Sequence, residues 1–65
     1  MELLVNGKSF STKSRDVLSL IEELELNIDG MVVIHNETII KKDQYQNFIL
    51  SENDRLELLN FVSGG

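Results

Sequence analysis

The sequence predicts a two-layer α+β domain in which one β-sheet packs on one main helix, and three stretches carry that prediction. Met1, Leu3 and Val5 alternate with Glu2, Leu4 and Asn6 and run into Asn6-Gly7, the strongest two-residue hairpin signal a sequence offers. Val17, Ile21 and Leu24 recur at helical spacing, with Leu18 and Leu20 widening the stripe. Arg55 to Val62 alternates again, Leu56 and Leu58 sharing one face and Glu57, Leu59 and Phe61 the other.

Taken in order, a first strand ends at Asn6-Gly7 and Lys8 to Thr12 pairs back against it. Ser14 is expected to cap a helix over Asp16 to Glu25, with Asp16 at the positive end of its dipole and Glu22, Glu23 and Glu25 on its solvated face. Asn27-Ile28-Asp29-Gly30 has turn composition, and Met31 to His35 is a valine- and isoleucine-rich strand. Asn36-Glu37 turns into Thr38-Ile39-Ile40. Tyr45 and Phe48, three apart in the polar stretch Lys42 to Phe48, anchor a single helical turn before Ile49-Leu50. Ser51 to Asp54 turns the chain into the last strand. The expected core is Leu3, Val5, Val17, Ile21, Leu24, Val33, Leu56 and Leu58, with the first and last strands central in the sheet.

The 65 residues make one domain, 1–65, with a flexible tail at 63–65. A chain of this size buries only about 60% of the surface it exposes when unfolded, which leaves little room for an enclosed catalytic cleft. A binding module is therefore expected, not a self-sufficient enzyme. No cysteine is present, which removes disulfides, thiolate nucleophiles and cysteine-held metals. His35 stands alone, so neither a histidine-rich metal site nor a serine triad is expected, and a structural role suits it better. No P-loop or GxGxxG occurs, and no bound cofactor is expected. The net charge of -5 disfavours nucleic acid and favours a basic protein surface as partner. The start of the chain lacks the pattern of an export signal, and the longest unbroken apolar run, Met31 to Ile34, is far too short to span a membrane. The expected compartment is the cytoplasm, and the expected free state is a monomer.

Gly64-Gly65 follows directly on a strand whose outward face carries Leu59 and Phe61. Two glycines without Cβ atoms adopt almost any backbone angle and thread a channel too narrow for other residues. The reactive group at such a tail would be the Gly65 carboxylate, able to attack the α-phosphate of ATP in another protein's active site. The acyl-adenylate formed is then open to a sulfur or amine nucleophile. With Leu56 and Leu58 inward, alternation turns Leu59 and Phe61 outward and places Leu4 outward on the neighbouring central strand, an apolar docking patch beside the tail.

The element order, the turn Asn36-Glu37-Thr38-Ile39-Ile40, the strand Asp54-Arg55-Leu56-Glu57-Leu58 and the terminal Gly64-Gly65 together resemble the ThiS family, the sulfur carriers of thiamin biosynthesis, over the whole chain. That resemblance implies a ubiquitin-like β-grasp with one mixed sheet of four to five strands on one main helix. It implies a cosubstrate and not an enzyme. A ThiF-type adenylyltransferase would activate Gly65 with ATP and magnesium, and sulfur from a cysteine desulfurase would displace AMP. The resulting thiocarboxylate would serve a ThiG-type thiazole synthase. Gly64 and Ser63 would thread the partner, and Phe61, Leu59 and Leu4 would dock on it. Ser63 stands where the family often has glycine or alanine, and Lys41 where proline often follows the turn. The molybdopterin carriers of MoaD type share the tail chemistry, a ubiquitin-like modifier would join Gly65 to lysines, and a plain interaction domain would use the sheet face alone.

Overall fold

Asn6 and Gly7 take φ of 52° and 81°, the consecutive left-handed pair that a tight two-residue hairpin requires. They join β1 (Glu2–Val5) to β2 (Lys8–Ser11), with Leu3 opposite Phe10 and Leu4 opposite Ser9. The computed structural model describes residues 1–61. Across these the elements continue as α1 (Val17–Glu23), β3 (Met31–His35), β4 (Thr38–Ile40), a 3-10 helix over Lys42–Asn47, and β5 (Arg55–Asn60).

The sheet has five strands in the order β2-β1-β5-β3-β4. β5 runs parallel to β1 and antiparallel to β3, so the sheet is mixed and the two chain-terminal strands lie at its centre, as the sequence predicts. β3 and β4 match their expected bounds. Asn36 and Glu37 between them adopt φ of 45° and 75°, a second left-handed hairpin turn. The expected last strand is shorter in the structure, ending at Asn60, and Val62 lies outside the described residues.

The helix differs from expectation at both ends. Asp16, not Ser14, is its N-cap: the Asp16 carboxylate accepts from the Ser19 N–H (3.1 Å) and from the Ser19 hydroxyl (2.6 Å). Ser14 instead donates to Glu23 (2.7 Å). Both residue types cap helices, and the tie is decided by the bridge between Asp16 and Ile49, which holds Asp16 extended just before the first turn. At the other end Leu24 caps the helix, Glu25 turns left-handed at φ 57°, the Glu25 N–H reaches Glu22 O and the Leu26 N–H reaches Ile21 O. This is the paired bonding of a Schellman ending, and it stops α1 two residues before the expected Glu25.

α1 lies over one face of the sheet. Val17, Leu20 and Ile21 from the helix, Leu3, Val33, Leu56 and Leu58 from the strands, and Met31, Ile40, Tyr45 and Leu50 form the buried core. Six of the eight expected core residues are in it, whereas Val5 and Leu24 are half-buried. Val5 abuts the exposed turn and Leu24 sits in the helix cap, so each has neighbours on one side only. Tyr45 and Leu50 complete the core from the connection after β4, where the 3-10 helix folds against α1. No helix among the described residues is long and apolar enough to cross a membrane.

Glu25 occupies the position of the helix ending where glycine is preferred, and it sets a negative charge against the negative end of the helix. Glu25→Gly should raise unfolding stability by about 1 kcal/mol, read as an increased urea midpoint at unchanged slope. A lowered midpoint would contradict the strain assigned to this residue.

Candidate functional site

The register of β5 decides what the open face of the sheet displays. Leu56 and Leu58 point to the helix, and strand alternation turns Arg55, Glu57, Leu59 and, beyond the strand, Phe61 the other way. Leu59 lies opposite Val32, Glu57 opposite Ile34, and Ile34 opposite Ile39. Phe61 and Ile39 are each 66% exposed and Leu59 is 38% exposed. One end of this face is thus an apolar band of Phe61, Leu59 and Val32, continued toward the β4 edge by Ile34 and Ile39.

Leu4 is on the same face and 40% exposed, but the parallel register sets it opposite Arg55. That is four residues along β5 from Leu59, about 13 Å. Glu57 and Arg55 intervene, so Leu4 is not contiguous with the band as expected from its parity. Val32, Ile34 and Ile39 take its place. Only Val32 lies directly across from Leu59, with Ile34 across from Glu57 and Ile39 across from Ile34; placing them needs the β3–β5 register, which no local pattern supplies. Ser63, Gly64 and Gly65, the residues expected to thread and react, lie outside the described residues.

β5 is held on both flanks. Beyond Val5, the Asn6 side chain takes over from the β1 backbone: Asn6 Nδ2 donates to Leu58 O (3.3 Å) and the Leu58 N–H donates to Asn6 Oδ1 (2.8 Å). The residue that makes the hairpin turn therefore also satisfies a central strand. On the other flank the Phe61 N–H donates to Gly30 O (2.8 Å), which carries the pairing beyond the end of β3 to Phe61.

His35 and Asp54 form a buried brace at the opposite end of β5. His35 Nε2 lies 2.8 Å from Asp54 Oδ2, and the Ser51 N–H donates to the same oxygen at 2.8 Å. Asn36 Nδ2 donates to Asp54 Oδ1 (3.4 Å), and the His35 ring stands edge-on to Phe48 with centroids 4.6 Å apart. This ties the end of β3 to the entry of β5 and gives His35 the structural role expected of it. Burial works to raise the Asp54 carboxyl, but the hydrogen bonds from His35, the Ser51 N–H and Asn36 outweigh it and hold the group below its usual range. Glu23 is likewise lowered by the hydroxyls of Thr12 and Ser14, which joins the β2–α1 connection to the helix.

Two concavities open on the surface. One of about 510 Å³ is lined by Lys13, Ser14, Arg15, Asp16, Ser19 and Glu23; the other, about 80 Å³, lies between Ile34, Asn36, Glu37, Arg55 and Glu57. In the first, the Ser14 and Ser19 hydroxyls are spent on Glu23 and on the Asp16 helix cap, and neither concavity contains a histidine. Among the described residues no three histidine, aspartate or glutamate side chains gather as metal ligands. What the described residues offer on this face is an apolar surface at the end of β5 that holds Leu59 and Phe61.

A five-stranded mixed sheet with central parallel terminal strands, crossed by one helix, defines a ubiquitin-like β-grasp domain. Residues 3–65 match the model of the ThiS family, and the chain belongs to that family. The fold superposes with a TM-score of 0.86, at 25% identity and over 100% of both chains, on the crystal structure of the thiamine biosynthesis protein ThiS from Geobacter metallireducens. The solution structure of a thiamine biosynthesis protein from that organism gives 0.81 at 25% identity, over 100% of this chain and 88% of the other. In sequence, the chain is 33% identical over 67 residues to a thiazole synthase of Paramagnetospirillum magneticum; the match takes in 100% of this chain and spans only 20% of that relative. It is also 26% identical over 62 residues to a protein of Trieres chinensis named uncharacterized protein ycf40, covering 94% of this chain and 85% of the other.

Because the folded pKa of Asp54 is depressed, its contribution to stability is full above the ordinary value of 3.8 and is lost as pH falls through the lower folded value. In urea titrations the stability gap between the protein and Asp54→Asn should be widest above about pH 4 and shrink below it. A gap that does not change with pH would show that the carboxylate charge is not what holds the brace.

Proposed function

We propose that the protein is a sulfur carrier of thiamin biosynthesis whose Gly65 carboxylate is the reacting group. The observation that carries this reading is the family match, which runs to Gly65 itself. It is supported by the geometry: the band of Leu59, Phe61 and Val32 stands at the end of β5 nearest the tail. A partner seated on that band has the carboxylate within a few residues of its docking site.

In the reaction, a carboxylate oxygen of Gly65 attacks the α-phosphorus of ATP and pyrophosphate leaves, in the active site of a ThiF-type adenylyltransferase that holds the nucleotide and magnesium. A persulfide charged by a cysteine desulfurase adds through its outer sulfur to the acyl carbon and AMP leaves; a second thiol on the partner then attacks the inner sulfur of the acyl persulfide, forming a disulfide there and releasing Gly65 as a thiocarboxylate. The chain's own part is presentation. Gly64 and Ser63 form the narrow lead to the reacting carbon, and Leu59 and Phe61 dock the rigid sheet. Among the described residues no cysteine competes for the sulfur. The thiocarboxylate then supplies a ThiG-type thiazole synthase, a pairing supported by the relative named thiazole synthase, one part of which aligns with this whole chain.

Intact mass after incubation with a ThiF-type enzyme, ATP, magnesium and sulfide should show one sulfur in place of one oxygen, confined to chains that retain Gly65. Phe61→Asp should keep the unfolding midpoint, because the side chain is exposed, yet raise KM for adenylation about tenfold or more. Absence of the mass change with a demonstrably active enzyme would refute the carrier reading, and an unchanged KM would remove Phe61 from the docking face.

A further inference from the structure

The loop between α1 and β3 grips the far end of β5. Asn60 Nδ2 donates to the Asn27 carbonyl (2.9 Å), and the Phe61 N–H donates to the Gly30 carbonyl (2.8 Å). Gly30 has φ +76°, and a Cβ there would stand 2.8 Å from the Phe61 carbonyl oxygen. Glycine is thus required twice over, by the backbone angle and by the close approach of the chain it holds. The loop is itself held: the Asp29 N–H donates to Asn27 Oδ1 (2.9 Å), and Lys42 Nζ donates to Asp29 Oδ1 (2.9 Å).

On the other flank of β5 this support is missing. The β1 backbone stops pairing near Val5, and the Asn6 side chain reaches only Leu58. Among the described residues, Asn60 and Phe61 are therefore fixed to the sheet by β3 and its preceding loop alone. The consequence concerns length. From Phe61 to Gly65 four residues span at most about 14 Å, and loss of the grip on Asn60 and Phe61 would move the root back to Leu59 and add up to about 7 Å.

We infer that the Asn27–Gly30 loop is a clasp that sets where the reactive tail begins, with Gly30 and Asn60 as positioning residues. The inference rests on the reading of Gly65 as the reacting group. A partner that binds Leu59 and Phe61 holds its own catalytic centre at a fixed distance from them, so the clasp matches the tail's root to that distance. It also holds the Phe61 side chain on the docking face, because the hydrogen bond to Gly30 continues the strand alternation by one more residue.

The test is length compensation, read as kcat/KM for adenylation by a ThiF-type enzyme. In the parent protein, removal of Ser63 should cost about tenfold or more, since small misplacements of a reacting group are costly. Gly30→Ala alone should act mainly by raising KM. In the Gly30→Ala background the loss from removing Ser63 should fall to about threefold or less, because a released root returns the missing length. If Gly30→Ala does not fold, Asn60→Ala combined with Lys42→Ala replaces it: together they remove the bond from Asn60 to the Asn27 carbonyl and the tie from Lys42 to Asp29 that hold the loop against β5, and so loosen its grip on Phe61. An adenylated parent in which removal of Ser63 costs the same in both backgrounds overturns the clasp alone. A parent that is not adenylated overturns the carrier reading, and the clasp with it.

Discussion

The parallel pairing of β1 with β5 at the centre of the sheet is the constraint on which the remaining structure depends. It joins residues some fifty positions apart, Leu4 to Arg55 and Val5 to Leu56, and two parallel strands require a crossover between them. The crossover is α1, which places Val17, Leu20 and Ile21 on the inner face against Leu3, Leu56 and Leu58. Once β1 and β5 are adjacent, β2 and β4 become edges, and β3 closes the other flank of β5. The backbone bonds from Leu4 to Asp54 O and from Asn53 to Glu2 O fix the entry of β5, and the Asp54 brace reinforces it. No disulfide assists, so the register is held by packing and hydrogen bonds alone.

From that position β5 serves two purposes on its two faces. Leu56 and Leu58 are committed to the core, and the price of leaving Leu59 and Phe61 in water is met by burial elsewhere. A domain this small has few surfaces to devote to recognition. Its apolar band lies at the end of β5 that carries Leu59 and Phe61. Next to the band Glu57 and the Glu37–Arg55 ion pair line the open face, in a chain of net charge -5.

Much of the architecture was legible because the decisive signals were local. Asn6-Gly7, the valine-rich Met31 to His35 and the alternation of Leu56 and Leu58 each specify an element within a few residues, and the strands fall where those patterns put them. The misreadings have physical causes. Ser14 and Asp16 are equivalent as caps in isolation, and a long-range bridge to Ile49 chose between them. Leu4 has the correct face but the wrong neighbours, because alternation gives the side of a sheet and says nothing of the position along it. Asn6 bracing Leu58 and Gly30 holding Phe61 were invisible for the same reason: each is a turn residue by local chemistry, and its second task depends on a partner 52 or 31 positions away. Asp54 reads as a turn aspartate until His35 is brought beside it.

β5 and the residue after it are held against the sheet as one continuous run up to Phe61, on the Asn6 side chain at Leu58 and on the Gly30 carbonyl at Phe61. Native-state hydrogen exchange at the amides of Leu58 and Phe61 tests it most directly, since their acceptors are the Asn6 side chain and the Gly30 carbonyl. Both should be protected, with Leu58 near the level of global unfolding and Phe61 lower but well above an open chain. Exchange of Phe61 at the rate of an unstructured amide would show instead that the hold on β5 ends before Phe61 and that the Gly30 carbonyl does not fix it.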